Sequence, residues 1–286
     1  MVQTRIERES VDILMVTYNR PEYTRLSLRS LLNSCDEHAR VWLWHNGNHA
    51  ETLAVVQSFR SHPRVHRFHH SPVNVMLLEP TNWLWSESKG DYLSKVDDDC
   101  ILPPKWLDEL RQVHVDCPQL GVVGCWRFQD EDFLPEEAAK KIEAVGPGHR
   151  MLRNLWVEGS GYLMKRACYE QLGPLRPKLS FTDYCIHLAD RGWVNGWYFP
   201  FLRQEHMDDP RSTHSLLRTD EDFTRNMPIS ARKAGTRTLI EWQSQLRQSA
   251  RVAQTASLDP KMYLGWRKLA RRTRAKIKRL FGRSGW

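Results

Sequence analysis

Apolar residues fall along this chain in short runs separated by polar loops, and the runs alternate between two periods. "VDILMV" (11–16) is broken only by Asp12 and ends at "TYNRP". Such a run predicts a parallel strand buried on both faces, leading into a loop. Pro21 suits the first turn of a helix, and Leu28, Leu31 and Leu32 supply an i, i+3, i+4 stripe behind it. "VWLW" (41–44) predicts a second strand closed by "HNGN", a strong turn signal, and "ETLAVVQSF" (51–59) a second helix. A short strand over 64–70, a helix over 76–88 around Trp83 and a strand over "DYLSKV" (91–96) follow. Past Pro103 and Pro104, Trp106, Leu107, Leu110 and Val113 share one helical face, and "LGVVGCW" (120–126) predicts another strand.

Strand and helix alternating in this way predict a doubly wound α/β sheet, in which ligands sit at the carboxyl ends of the strands. "TYNR", "HNGN" and "DDD" all fall at such ends. Beyond residue 126 the pattern changes. The polar stretch 129–150 reads as a mobile loop or insertion. Residues 155–173 read as a strand, a Gly turn and a helix stopped at Gly173. "FTDYCIHLADRG" (181–192) reads as a helix capped near Thr182 and ended by Gly192, and "WVNGWYFPF" (193–201) as an aromatic strand delivering "QEHMDDPRSTH". The expected organisation is a nucleotide-sugar-binding half over 1–125, an acceptor-side half of the same domain over 126–215, and a helical extension over 216–286.

Composition changes this picture little. With 41% hydrophobic and 27% charged residues over 286 positions, the chain has the make-up of an ordinary globular protein. No stretch approaches the roughly 18 apolar residues of a membrane span. The polar start "MVQTRIERES" does not read as a secretory signal, so a cytoplasmic location is expected. The six cysteines form no C-x-x-C pair, which argues against a zinc ribbon or redox motif and for reduced thiols, several of them in the core.

Charge is more informative. The net charge is +8, but residues 261–286 hold ten Lys or Arg and no Asp or Glu. The other 260 residues carry 32 basic and 34 acidic side chains, so no nucleic-acid partner is expected. In the tail, Trp266, Leu269, Ala270, Ile277, Leu280 and Phe281 lie near one helical face among the cations. That pattern predicts peripheral contact with an anionic membrane, on its inner face.

"SKVDDDCILPP" (94–104) carries the chemistry. If the strand continues, Asp97 and Asp99 project to one side and Asp98 to the other. Converging carboxylates need a proton or a cation, and oxygen ligands with open positions suit Mg²⁺ or Mn²⁺ bound with a diphosphate. A solvated turn fits the same residues.

These motifs, in this order, resemble the family 2 glycosyltransferases with a GT-A fold. The resemblance rests on "VDILMVTYNRPEYTRLSLRSLL", "HNGN", Asn74 with Asn82, "GDYLSKVDDDCILPPKWL", "EGSGYLMKRACYEQLG" and "FTDYCIHLADRGW". It implies a metal-dependent, inverting transfer of a sugar from a nucleoside-diphosphate sugar to a hydroxyl on a glycan or lipid-linked acceptor, as in bacterial surface-glycan synthesis. Thr17, Tyr18, Asn19 and Arg20 line the nucleotide pocket on this reading, with His45 and Asn46 at the base edge, Asn82 nearby, and Lys95 reaching a phosphate. Asp97 and Asp98 contact ribose and sugar-diphosphate, Asp99 binds the divalent cation (Mn²⁺ or Mg²⁺), and His206 takes the late metal-ligand position. Asp97 is a further candidate ligand by the strand-geometry argument. Asp183 matches the general base; at a helix start it also suits the helix dipole. Glu158, Gly159 and Gly161 belong to the acceptor-side segment, where Trp156 and Trp193 offer faces for a sugar ring.

The sequence departs from the pattern where an acid that helps to read uracil is often found, at His45 or Asn46, and where Thr182 replaces a Glu before Asp183. Two other classes compete. A nucleotidyltransferase leaves Asp183 and the aromatic acceptor side unexplained and lacks its Gly- and Lys/Arg-rich phosphate loop. An inactive glycan- or membrane-binding module has no need to keep Asp97, Asp99, Asp183 and His206 together.

Overall fold

A computed structural model describes residues 9–265. Its centre is a nine-stranded mixed sheet ordered β3-β2-β1-β4-β9-β6-β10-β8-β7. The strands are β1 (Val11–Thr17), β2 (Ala39–Asn46), β3 (Val65–Ser71), β4 (Tyr92–Asp97), β6 (Leu120–Gly124), β7 (Ile142–Gly146), β8 (His149–Asn154), β9 (Tyr162–Lys165) and β10 (Val194–Phe199). Seven run one way; β8 and β9 oppose them. A separate ribbon pairs β5 (Cys100–Ile101) with β11 (Glu205–His206).

Alternation along β1 shows why the run is apolar on both faces. Val11, Ile13 and Met15 join one buried cluster with Leu28, Leu31 and Leu110, while Leu14 and Val16 join another with Leu84 and Trp85. Helices α1 (Pro21–Ser34), α2 (Ala50–Ser58) and α4 (Trp106–Asp116) cover the first face. On the second face lie α3 (Leu78–Glu87) and α7 (Phe181–Asp190), with α5 (Pro135–Ala139) and α6 (Arg166–Leu172) beside them. The polar break, Asp12, is fully buried yet satisfied. Its carboxylate accepts from Arg40 Nε and Nη2, Trp42 Nε1 and Gly90 N at 2.7–2.8 Å, tying β2 and the start of β4 to the central strand.

Trp42, Trp44, Trp106 and Trp126 are core residues, and five of the six cysteines are buried thiols. Three expectations need correction. Residues 129–150 hold a 3₁₀ turn, α5, β7 and the start of β8, a hairpin at the sheet edge. No residue of its outer strand is fully buried, so its sequence carries no buried run to betray it. In 155–173 the strand follows the Gly turn, since β9 starts after Gly161, and α6 then stops at Gly173 as expected. The cap of α7 is Ser180, two residues before Thr182.

After β11 come α8 (Asp220–Arg225), α9 (Ile229–Ala234) and α10 (Leu239–Thr255), around a small core of Leu217, Phe223, Ala231, Trp242 and Leu246. Most of the basic stretch 261–286 lies outside the described residues. Among the described residues no helix is long and apolar enough to cross a membrane.

Candidate active site

Strand β4 ends at Asp97, and the chain turns through Asp98 and Asp99 before β5. Extended-strand alternation therefore stops one residue too early to pair Asp97 with Asp99. Asp98 and Asp99 both face the Arg20 guanidinium instead, with Nη2 donating to Asp98 Oδ1 at 3.1 Å and Asp99 Oδ2 at 2.9 Å. Nη1 donates to both oxygens of Asp208 at 2.7 Å. Asp98 also accepts from Tyr18 N at 3.0 Å, fastening the loop after β1. Asp97 pairs with the buried Lys95 ammonium.

The β5–β11 ribbon sets Cys100 opposite His206, and Met207 N donates to Asp99 O at 2.8 Å. Residues about a hundred positions apart are thereby neighbours. One ligand atom from each of Asp99, His206 and Asp208 lies within 4.8 Å of the others. The loop carrying His206 and Asp208 is held by Tyr23 Oη donating to Met207 O, Ser212 Oγ to His206 O and Trp242 Nε1 to Asp208 O, at 2.7–2.8 Å. Asp209 turns away and accepts from Arg211.

The electrostatics suit a cation. Burial raises the Asp208 carboxyl well above the usual range, with Asp99 reinforcing the shift. At Asp99 burial acts in the same direction, but the Arg20 guanidinium outweighs it and holds the group ionised. Burial, with Arg127 beside it, pushes His206 down to about 4, so the ring is neutral and free to ligate near pH 7. Three carboxylates share one guanidinium here, which leaves excess negative charge. Two carboxylates and one imidazole form a donor set that fits Mn²⁺ better than the all-oxygen preferences of Mg²⁺.

A cleft of about 480 Å³ opens above these groups. Tyr18, Asn19, Arg20, Asp97–Asp99 and Asp208 line one side, and Asn46, Asn74 and Met76 one end. Asn19 and Met76 both adopt left-handed backbone there, at φ 53° and 64°. A second cavity of about 420 Å³ is lined by Arg127, Trp156, Glu158, Gly159 and Thr182, and by Gln245, Gln248 and Ser249 of α10. Asp97 lines both, at their junction.

Several expected residues sit elsewhere. Thr17 and His45 bond to each other at 2.8 Å, fully buried and off the cleft wall. Asn46 reaches the wall, but its carboxamide is engaged with Met76 O, Trp44 Nε1 and Val75 N. The Asn82 carboxamide clasps Leu175 N and O at 2.9 Å, joining α3 to the chain after α6. Trp193 donates to Gln171 and is not on the second cavity. Gly161, at φ +64°, serves packing, because a Cβ would meet Gln204 Oε1 at 2.4 Å. Glu158 accepts from Trp197 Nε1 at 2.9 Å and is shifted upward by burial. Asp183 caps α7 reciprocally with Ser180, while its neighbour Thr182 reaches the cavity wall. Arg127 and the α10 side chains carried no motif. Asp208 and Asp209 had been indistinguishable acids in "HMDDP".

The model of Glycosyl transferase family 2 matches residues 12–189. The chain belongs to that family. Protein CgeD of Bacillus subtilis (strain 168) is 25% identical over 122 residues, 40% of this chain and 28% of that protein. Among solved structures, the mannosyltransferase PcManGT from Pyrobaculum calidifontis, in complex with GDP-Man and Mn²⁺, superposes with a TM-score of 0.58 at 14% identity. It covers 96% of this chain and 81% of its own, and the two share a fold of the GT-A type.

Proposed function

We propose that this family member is a metal-dependent, inverting glycosyltransferase that takes a nucleoside-diphosphate sugar as donor and a hydroxyl of a glycan or lipid-linked molecule as acceptor. The observation that carries the reading is the convergence of Arg20, Asp98, Asp99 and Asp208 on one cleft that meets a second cavity at Asp97, with buried His206 beside Asp99 and Asp208. The donor occupies the first cleft, with its nucleoside toward Asn46, Asn74 and Met76. The acceptor occupies the second, between Trp156 and α10.

Asp99, His206 and Asp208 would hold the divalent cation, which would supply charge stabilisation to a departing nucleoside diphosphate. Arg20 pairs with the carboxylates of Asp98, Asp99 and Asp208 in the free protein. Asp183 removes the proton of the attacking hydroxyl, and attack opposite the leaving group inverts the anomeric centre. The family resemblance supports Asp183 in this role, and Glu158 is a second carboxylate within the acceptor cavity. The Mn²⁺ and GDP-Man bound to the structural neighbour support the cofactor and the donor class. The cationic pattern of 261–286 supports action on an acceptor at an anionic membrane surface in surface-glycan synthesis.

Thermal shift with UDP, GDP, dTDP and CMP, each with and without Mn²⁺, tests the reading. At least one nucleoside diphosphate raises the melting temperature only when Mn²⁺ is present; no such rise with any of them overturns the proposal.

A further inference from the structure

The 480 Å³ cleft lined by the carboxylates is lined also by the segment Arg225–Lys233, which follows the family-matched residues by more than thirty positions. Arg225, Arg232 and Lys233 line the cleft and are exposed, and none of their side chains has a hydrogen bond or ion pair to another described residue. The segment is anchored. Phe223 and Ala231 are fully buried against Leu217, Trp242 and Leu246. Trp242 in turn donates to the backbone of Asp208, so the basic wall and the acidic floor are braced against each other.

Three unpaired cations and a cluster of acids thus line one ligand-sized cleft without forming a salt bridge to each other. A simple anion fits the basic wall but is repelled by the floor, and a simple cation the reverse. A ligand satisfies both sides when it carries an anion and a dication together, as a metal-bound diphosphate does. The nucleoside end of the cleft, at Asn46 and Met76, leaves room for the rest of such a ligand.

We infer that Arg225, Arg232 and Lys233 form the phosphate-binding wall of this cleft, taking the diphosphate of a nucleoside diphosphate. The inference rests on the glycosyltransferase reading and assigns donor recognition to a segment outside the matched family region. Guanidinium and ammonium groups are matched to phosphate by multiple charge-assisted N–H donors. Their exposure in the free protein leaves most of that interaction to be gained on binding.

The test is calorimetric titration of the full chain and of a triple variant, Arg225→Gln, Arg232→Gln and Lys233→Gln, with GDP, UDP and their monophosphates in the presence of Mn²⁺. The substituted side chains are exposed and unpaired, so the variant should keep the wild-type melting temperature, which is measured alongside. The expected result is a loss of diphosphate affinity of roughly tenfold, a smaller loss for the monophosphate and a shallower dependence on salt. A triple variant with wild-type diphosphate affinity and salt dependence overturns the inference and leaves the glycosyltransferase reading standing. A wild-type protein that binds no nucleoside diphosphate overturns both.

Discussion

The strand-end loops of β1 and β4 and the helical segment after β11 line one cleft, yet they bring their side chains there by different routes. The first region delivers contiguous residues, Tyr18–Arg20 and Asp97–Asp99, from the carboxyl ends of parallel strands whose apolar runs fix their position. The second region delivers Arg225, Arg232 and Lys233 from short helices that pack around a small core of their own. A sheet fixes several loops at once, because each strand is registered against its neighbours. Trp242 and the Tyr23 hydroxyl tie the helical segment to the sheet through bonds to Asp208 O, Met207 O and Leu216 N, and the far end of α10 is held by Lys141 Nζ and Asn154 Nδ2 donating to Ala253 O. The sheet side therefore suits chemistry that tolerates little displacement, and the helical side suits recognition.

If that division is right, the largest effects come from the sheet side. Asp99→Asn or Asp208→Asn should lower turnover on the order of 10²–10³-fold, and should abolish the Mn²⁺-dependent melting shift in the presence of nucleoside diphosphate. A variant that keeps this shift would move the cation away from Asp99, His206 and Asp208. Asp183→Asn should cost on the order of 10²-fold or more in turnover, with donor affinity nearly unchanged in calorimetry. Glu158→Gln is its control. If Glu158→Gln silences the enzyme and Asp183→Asn does not, the base belongs to Glu158 and Asp183 is only the cap of α7.

Arg20 probes the same site through stability. Its removal leaves Asp98, Asp99 and Asp208 facing one another with no counter-charge, at side-chain exposures of 9%, 12% and 4%. Arg20→Ala should cost about 3 kcal/mol in denaturant unfolding, the lower end for breaking a buried pair, because this one borders an open cleft. Added Mn²⁺ should recover part of that loss. A variant as stable as the wild type without metal would mean that the carboxylates relax into solvent.

What the residues revealed beforehand follows the same division. The parallel strands and their loops were legible because β1, β2 and β6 are apolar on both faces and end in turn-forming residues. The β7–β8 hairpin was not, since an edge strand exposed on one side has no such run. Asp99 and His206 are legible as separate candidate ligands, but strand alternation pairs Asp97 with Asp99 only if β4 runs past Asp97, where it ends. The choice of Asp208 over Asp209 depends on the β5–β11 ribbon and on Arg211 claiming Asp209, contacts across long sequence separations. His45, Thr17 and Asn82 sit in family-like motifs, yet Thr17 bonds to His45 Nδ1 and the Asn82 carboxamide to Leu175 instead of lining the cleft. The α10 wall had no local signal at all, because Gln245, Gln248 and Ser249 acquire meaning only when the helix packs over the second cavity.

That wall gives a smaller, selective prediction. Gln248→Ala should raise the acceptor KM several-fold and leave donor affinity and the Mn²⁺ shift untouched, since α10 touches the second cavity while the ligand cluster lies on the first. Equal loss for donor and acceptor would mean that α10 supports the whole site through Trp242, and the separation between recognition and chemistry would then be lost.

The smallest effect belongs to the scaffold beneath both regions. His114 on α4 is buried, with Nε2 near Leu163 O at 3.1 Å, and burial followed by the charge of Lys165 holds it down to about 3. An unfolded histidine titrates near 6.5, so below that pH the unfolded chain takes up a proton that the folded chain refuses. Stability should therefore be insensitive to this group above about pH 6.5 and fall below it, by about 1.4 kcal/mol per pH unit at most, until the folded value is reached. His114→Gln should flatten that slope in urea unfolding between pH 6.5 and pH 5, at some fixed cost in packing. An unchanged slope would assign the acid sensitivity to other groups and leave His114 as a neutral filler against Tyr92 of β4.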